Sequence, residues 1–332
     1  VIKLARFLSV DADSLGYLHD LPSDAVATLR SAISDVLHDE LREPLGLLAA
    51  VARWLPAWVS ALCCRSWFGA PMSARLASEL PAWRVANIAK YLDTEFLADV
   101  AIDLDPRSAR EVLYLLAPKK VMAISHVLLL RRDFITLGRF VALLPDEVLQ
   151  QVAESIEDEG DLLQVLFFIE ARYRIDHIVR LIPTERMQRA VLLVCDESRR
   201  DLWPSLLALL THAGYGLKRE LGDLAAEQGE QVLTAIIETV QAEDLWEDVL
   251  PVVVCLSSEV QKQVVNLAAL QRPEVLQLII KATSYRQLWS AMLCLAEAMN
   301  SAGRDNLAEV MEQVDDELLA QAAYAALLRS QW

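Results

Sequence analysis

Asp93, Glu95, Asp99 and Asp103 are the residues of this chain whose types and spacing come closest to chemistry. Glu95, Asp99 and Asp103 recur at steps of four, so on a helix they share one face. Carboxylates aligned in this way repel one another, and a hard divalent cation bound through oxygen relieves the repulsion. Magnesium is therefore the candidate ligand, with Glu95, Asp99 and Asp103 as its candidate ligating residues and no other cofactor expected. A second acidic group, Glu154, Glu157, Asp158, Glu159 and Asp161, surrounds Gly160 at a predicted helix end, but its spacing matches no ion-binding loop.

The other reactive residue types are dispersed. The five cysteines, Cys63, Cys64, Cys195, Cys255 and Cys294, form no C-x-x-C pair and no cluster with histidine, which predicts buried thiols acting as small hydrophobes. Cys63 and Cys64 fall at core-like offsets from Leu55. None of the histidines, His19, His38, His126, His177 and His212, opens an H-E-x-x-H run, and no G-x-S-x-G elbow occurs. No acid–base pair or nucleophile can be nominated, so the chain is read as non-enzymatic. Gly214-Tyr215-Gly216, ahead of Lys218 and Arg219, lacks the preceding strand of a phosphate loop and reads as a helix C-terminus followed by a loop.

Charge is abundant and unevenly placed. With 31 lysines and arginines against 47 acids the net charge is −16, which disfavours nucleic acid as a partner. Between Lys119 and Arg139, however, the cations Lys119, Lys120, Arg131, Arg132 and Arg139 face only Asp133, making them candidate contacts to an acidic protein partner. Nine acids run from Glu220 to Asp248 without a basic residue. Such polarity can orient a partner or pair copies head to tail; it is also what a solvated outer face looks like.

The elements that carry these residues are announced by four leucines twelve residues apart, Leu80, Leu92, Leu104 and Leu116. Counting each leucine as zero, offset 5 holds Val85, Leu97, Ala109 and Val121, offset 8 holds Ile88, Val100, Val112 and Ile124, and offset 9 holds Ala89, Ala101, Leu113 and Ser125. Offsets 5, 8, 9 and 12 are i, i+3, i+4 and i+7, so each unit is one short helix with one buried stripe. Pro81-Ala82, Asp93-Thr94, Asp105-Pro106 and Ala117-Pro118 supply a preset first-turn φ or a capping carboxylate between helices. Looser echoes begin at Leu144-Pro145, Ile182-Pro183 and Leu270, with a partial one at Leu21-Pro22 that puts Arg30 on the stripe. Helices this short are unstable alone, so neighbouring stripes must pack into a shared core.

Hydrophobic residues make up 54% of the chain and glycines number only ten, which suits packed helices and leaves little material for strands. The longest apolar run, 44–64, is interrupted by Arg53 and Pro56 and reads as a buried helical pair rather than a membrane span; an apolar-ligand or membrane-surface site there is the further alternative. No N-terminal stretch has the layout of a secretory signal, so a cytoplasmic location is expected.

The leucine–proline openings and twelve-residue pitch over residues 80–128 resemble the cytosolic N-terminal domain of MgtE-type magnesium transporters. The resemblance implies a superhelix of short helices and a regulatory response to magnesium. It does not extend to the transmembrane helices or the nucleotide-sensor-like modules of those transporters, and no ligand residue carries over. The reading is thus an all-α superhelical solenoid of about 12-residue repeats, with an N-terminal section 1–75, regular repeats 76–200 and a C-terminal section 201–332. Its expected role is a scaffold or regulatory module that binds another protein, with magnesium sensing as the alternative.

Overall fold

The computed structural model describes residues 12–18, 25, 26, 28, 29, 32 and 46–330. Leu21, Pro22, Arg30, His19, His38 and the start of the apolar run at Pro44 lie outside the described residues. Among the described residues every regular element is helical and there is no strand. The chain divides into two units, Val1–Ser155 and Ile156–Trp332, so the expected section limits at 75 and 200 both fall inside a unit.

In the first unit a helical segment at 46–54 leads, past Pro56, into α1 (Ala57–Cys63), a π turn (Cys64–Phe68) and α2 (Gly69–Glu79). The four twelve-residue units then form α3 (Ala82–Ala89), α4 (Thr94–Asp103), α5 (Pro106–Leu115) and α6 (Pro118–Leu130), followed by α7 (Phe134–Val141) and α8 (Asp146–Ser155). Their punctuation is chemical. Asp93 accepts a hydrogen bond from the Phe96 N–H at 2.8 Å, Asp105 accepts one from the Arg107 N–H at 2.9 Å, and Pro106 and Pro118 sit in first turns where no N–H is needed. The stripe faces inward throughout: Leu80, Ile88, Ala89, Leu92, Val100, Ala109, Val112, Val121 and Ser125 are buried and its other members are half-buried.

Each of these helices rests on the one two places further along, α1 on α3, α2 on α4, α3 on α5, α4 on α6, α5 on α7 and α6 on α8. Cations reach back over three helices to carbonyls at the ends of earlier ones. Buried Arg84 donates to Ala52 at 2.8 Å and also to Leu55, Lys120 donates to Leu92 at 2.6 Å, and Arg139 donates to Ile102 at 3.1 Å and Leu104 at 3.2 Å. Helix C-termini carry partial negative charge and free carbonyls, so a positive side chain placed there satisfies both.

The second unit contains α9 (Glu159–Phe167), α10 (Ile175–Arg180), α11 (Thr184–Val194), α12 (Trp203–His212), α13 (Tyr215–Glu227), α14 (Glu230–Ala242), α15 (Trp246–Val253), α16 (Ser258–Val265), α17 (Pro273–Tyr285), α18 (Trp289–Ala298), α19 (Ser301–Glu312) and α20 (Asp316–Ser330). Here the period is different. Helices α13, α16 and α19 start at 215, 258 and 301, and α14, α17 and α20 start at 230, 273 and 316, a step of 43 in every case. Trp203, Trp246 and Trp289 open α12, α15 and α18 at the same step.

The polar joints repeat as well. Asp176 accepts from the Gly214 N–H at 2.9 Å, Asp223 from the Ser257 N–H at 3.0 Å and Asn266 from the Asn300 N–H at 2.7 Å. Gly214 is therefore the start of α13 rather than a loop residue, and a Cβ there would lie 2.6 Å from the Asp176 carboxylate. Asp244 and Gln287 take φ near +52° and +54° to close helix C-termini, the next residue's N–H donating back to Val240 and Thr283. Packing again favours alternate helices, α9 on α11, α11 on α13, α13 on α15, α15 on α17 and α17 on α19.

Candidate functional site

The apolar run does form a helical pair, but it is buried on one side only, which corrects the expectation of a buried pair. Ala49 and Ala52 of segment 46–54 and Ala61 and Cys64 beyond it turn toward a small core with Leu76, Leu80, Ile88 and Leu92. The large residues face out. Leu47, Val51 and Trp54, spaced i, i+4, i+7, share the exposed face of segment 46–54, and Trp58 and Leu62 share that of α1. Trp54 is 90% exposed and Trp67, on the π turn, 80%; Trp83 on α3 is exposed too. Leu48, Val51 and Trp67, all exposed, also line one apolar cavity of about 220 Å³ whose walls include Leu55, Phe68 and Val85.

The same stretch of chain carries charge of mostly one sign. Between residues 46 and 92 the charges are Arg53, Arg65, Arg75, Arg84 and Lys90 against Glu79 alone, a positive section in a chain of net charge −16. Arg84 is consumed internally, whereas Arg53, Arg65, Arg75 and Lys90 are exposed, Arg65 lying 3.5 Å from Asp93. Tryptophan and arginine together are the side chains most enriched where interfaces carry their binding energy.

The residues nominated from sequence are placed as follows. Arg131 bridges Glu95 and Asp99, bonding Asp99 at 2.6 Å, so a nominated partner-binding cation and two nominated metal ligands form one ion-pair group. Asp99, then Glu95, hold the Arg131 guanidinium above its ordinary pKa. Asp103 is exposed on the same helix. Lys120 and Arg139 are bound to carbonyls as described, Arg132 lies over the Phe134 ring at 5.3 Å and Lys119 is exposed. Among the described residues no group of three or more histidines, cysteines, aspartates or glutamates is placed to hold a metal ion.

In the acidic group around Gly160, Glu154, Glu157 and Asp158 are exposed and Glu159 is half-buried. Asp158 caps α9 by accepting from the Asp161 N–H at 2.8 Å, and Glu159 pairs with Arg189 at 2.8 Å and Arg186 at 3.4 Å. In the acidic stretch 220–248, Glu220 pairs with Arg180, Glu238 with Arg272 and Asp248 with Arg286, so the counter-charges come from outside the stretch. Burial pushes the Cys195 thiol up to about 11 and raises Cys64 and Cys255, which keeps these thiols protonated and poorly nucleophilic. His126 and His177 are exposed.

No family model, curated protein or solved structure matches this chain. Two features escaped the sequence reading: the outward tryptophans, and the 43-residue step, whose signal is the Leu-Trp pair at 202–203, 245–246 and 288–289. Trp332 falls on the same step.

Proposed function

We propose that the chain is a non-enzymatic helical-repeat scaffold that docks a protein partner on the apolar, cationic surface formed by residues 47–91. The alternate packing of short helices supports a superhelical solenoid within each unit, a construction that presents side chains on a framework fixed by its neighbours. The observation that carries the docking role is the exposure of Trp54, Trp58, Trp67 and Trp83 beside Arg53, Arg65, Arg75 and Lys90. Four exposed tryptophans within thirty residues are unusual on a chain with no partner. Its complement is an acidic segment with apolar anchors, one of which enters the cavity rimmed by Val51 and Trp67. Magnesium sensing is less well supported, because Arg131 already neutralises Glu95 and Asp99.

A photo-reactive side chain placed at position 58, and separately at the exposed position 285 of the second unit, tests this in living cells. The account predicts a protein adduct from 58, none from 285, and loss of the adduct when Arg53, Arg65 and Arg75 are changed to glutamate. A lipid adduct from 58, or equal adducts from both positions, would overturn it. Among the described residues no helix is long and apolar enough to cross a membrane.

A further inference from the structure

A second site lies in the other unit and does not depend on the docking surface. Helices α9, α11, α12, α13, α14, α15 and α16 line a cavity of about 120 Å³, with residues such as Leu163, Leu207, Leu221 and Ile237 on its wall. No charged side chain and no hydroxyl lines it, and Cys195 supplies its one sulfhydryl. Two of its lining residues are Trp203 and Trp246, the first residues of α12 and α15, which are only 4% and 3% exposed. Among the described residues no acceptor of the chain reaches either indole N–H. The next tryptophan on the 43-residue step shows what this position ordinarily demands: the Trp289 indole N–H donates to Gln321 at 3.0 Å. The positions 43 and 86 residues before Gln321 are Leu278 and Ala235, which have no acceptor on their side chains.

A buried donor without an acceptor is costly, and a ligand that brings one recovers that cost on binding. An apolar wall with no compensating cation rejects a carboxylate or phosphate, whose charge would be stranded. The size sets the rest, because an apolar cavity of about 150 Å³ holds a molecule as large as benzene. We propose that this cavity binds a neutral, single-ring-sized apolar molecule carrying one hydrogen-bond acceptor, which takes its bond from the indole of Trp203 or Trp246.

Cyclohexanone and methylcyclohexane serve as probes, nearly equal in size and differing in the acceptor. With the full chain labelled with ¹⁵N, titration with cyclohexanone is predicted to move the indole N–H signal of Trp203 or Trp246 downfield and leave that of Trp289 in place; methylcyclohexane is predicted to move none of them downfield. Changing the engaged tryptophan to phenylalanine is predicted to weaken cyclohexanone binding by roughly threefold to tenfold, the loss of one neutral hydrogen bond, with methylcyclohexane unaffected. Indole signals that stay fixed under cyclohexanone, as they do if internal water already satisfies them, would overturn the proposal. So would unchanged cyclohexanone binding by both Trp203→Phe and Trp246→Phe. Should a phenylalanine variant lose its fold, the wild-type titration decides alone.

Discussion

At the scale of the residue, the chemistry suggested by spacing is answered by neighbours that spacing cannot show. Glu95 and Asp99 align on α4 as expected, but Arg131 arrives from the end of α6 to satisfy both. Magnesium chloride and sodium chloride at matched ionic strength should therefore raise or lower the melting temperature of the wild type equally, since both act only by screening. Changing Arg131 to methionine should cost about 0.5–1 kcal/mol, as for an exposed ion-pair group, and make the magnesium response exceed that of sodium. A magnesium-specific gain in the wild type that disappears when Glu95, Asp99 and Asp103 become amides would instead establish the metal reading. The half-buried Cys195 thiol gives a test in pH. Its folded value near 11 lies above its ordinary value of 9.0, so the unfolded chain loses this proton first. The stability it contributes is intact below pH 9.0 and is lost as pH rises toward 11, so the stability of Cys195→Ala should fall less than that of wild type across this window in denaturant titrations.

At the scale of the element, the twelve-residue units were legible because everything that specifies them lies within one period. A cap or proline, a stripe and a closing leucine occupy each, and α3 to α6 follow them residue by residue. Asp93→Ala should cost about 1 kcal/mol through loss of a cap. Val100→Asp should cost several kcal/mol by stranding a charge in the core. Melting curves distinguish the two, and unchanged melting of Val100→Asp would mean that the stripe does not face inward. The outward face of segment 46–54 was not legible for a physical reason. Both of its faces are apolar, and hydropathy alone would send Leu47, Val51 and Trp54 inward, yet Ala49 and Ala52 take the core side. Arg84 has the same lesson in reverse: it sits among stripe residues as a charge, and it is buried because the carbonyls of Ala52 and Leu55 need a donor. The 43-residue step was hidden because interchangeable aliphatics fill most equivalent positions, leaving Leu-Trp as its clearest mark.

At the scale of the whole molecule, the account separates framework from working surface. Charged side chains are largely spent on joining one helix or repeat to another, as with Arg139, Arg180, Arg186, Arg272 and Arg286. Most tryptophans divide cleanly: Trp203, Trp246 and Trp289 are buried in the second unit, whereas Trp54, Trp58, Trp67 and Trp83 lie on the surface of the first. Hydroxyl-radical footprinting read out residue by residue, on the purified chain and inside cells that express it, tests this division and the docking role together. In the purified chain the four surface tryptophans should oxidise many times faster than the three buried ones. In cells their oxidation should drop several-fold relative to the exposed Tyr285 and Tyr324, because the partner covers them. Equal oxidation of the two groups in the purified chain, or surface tryptophans that remain as reactive in cells as in isolation, would contradict the claim that this face is where the protein works.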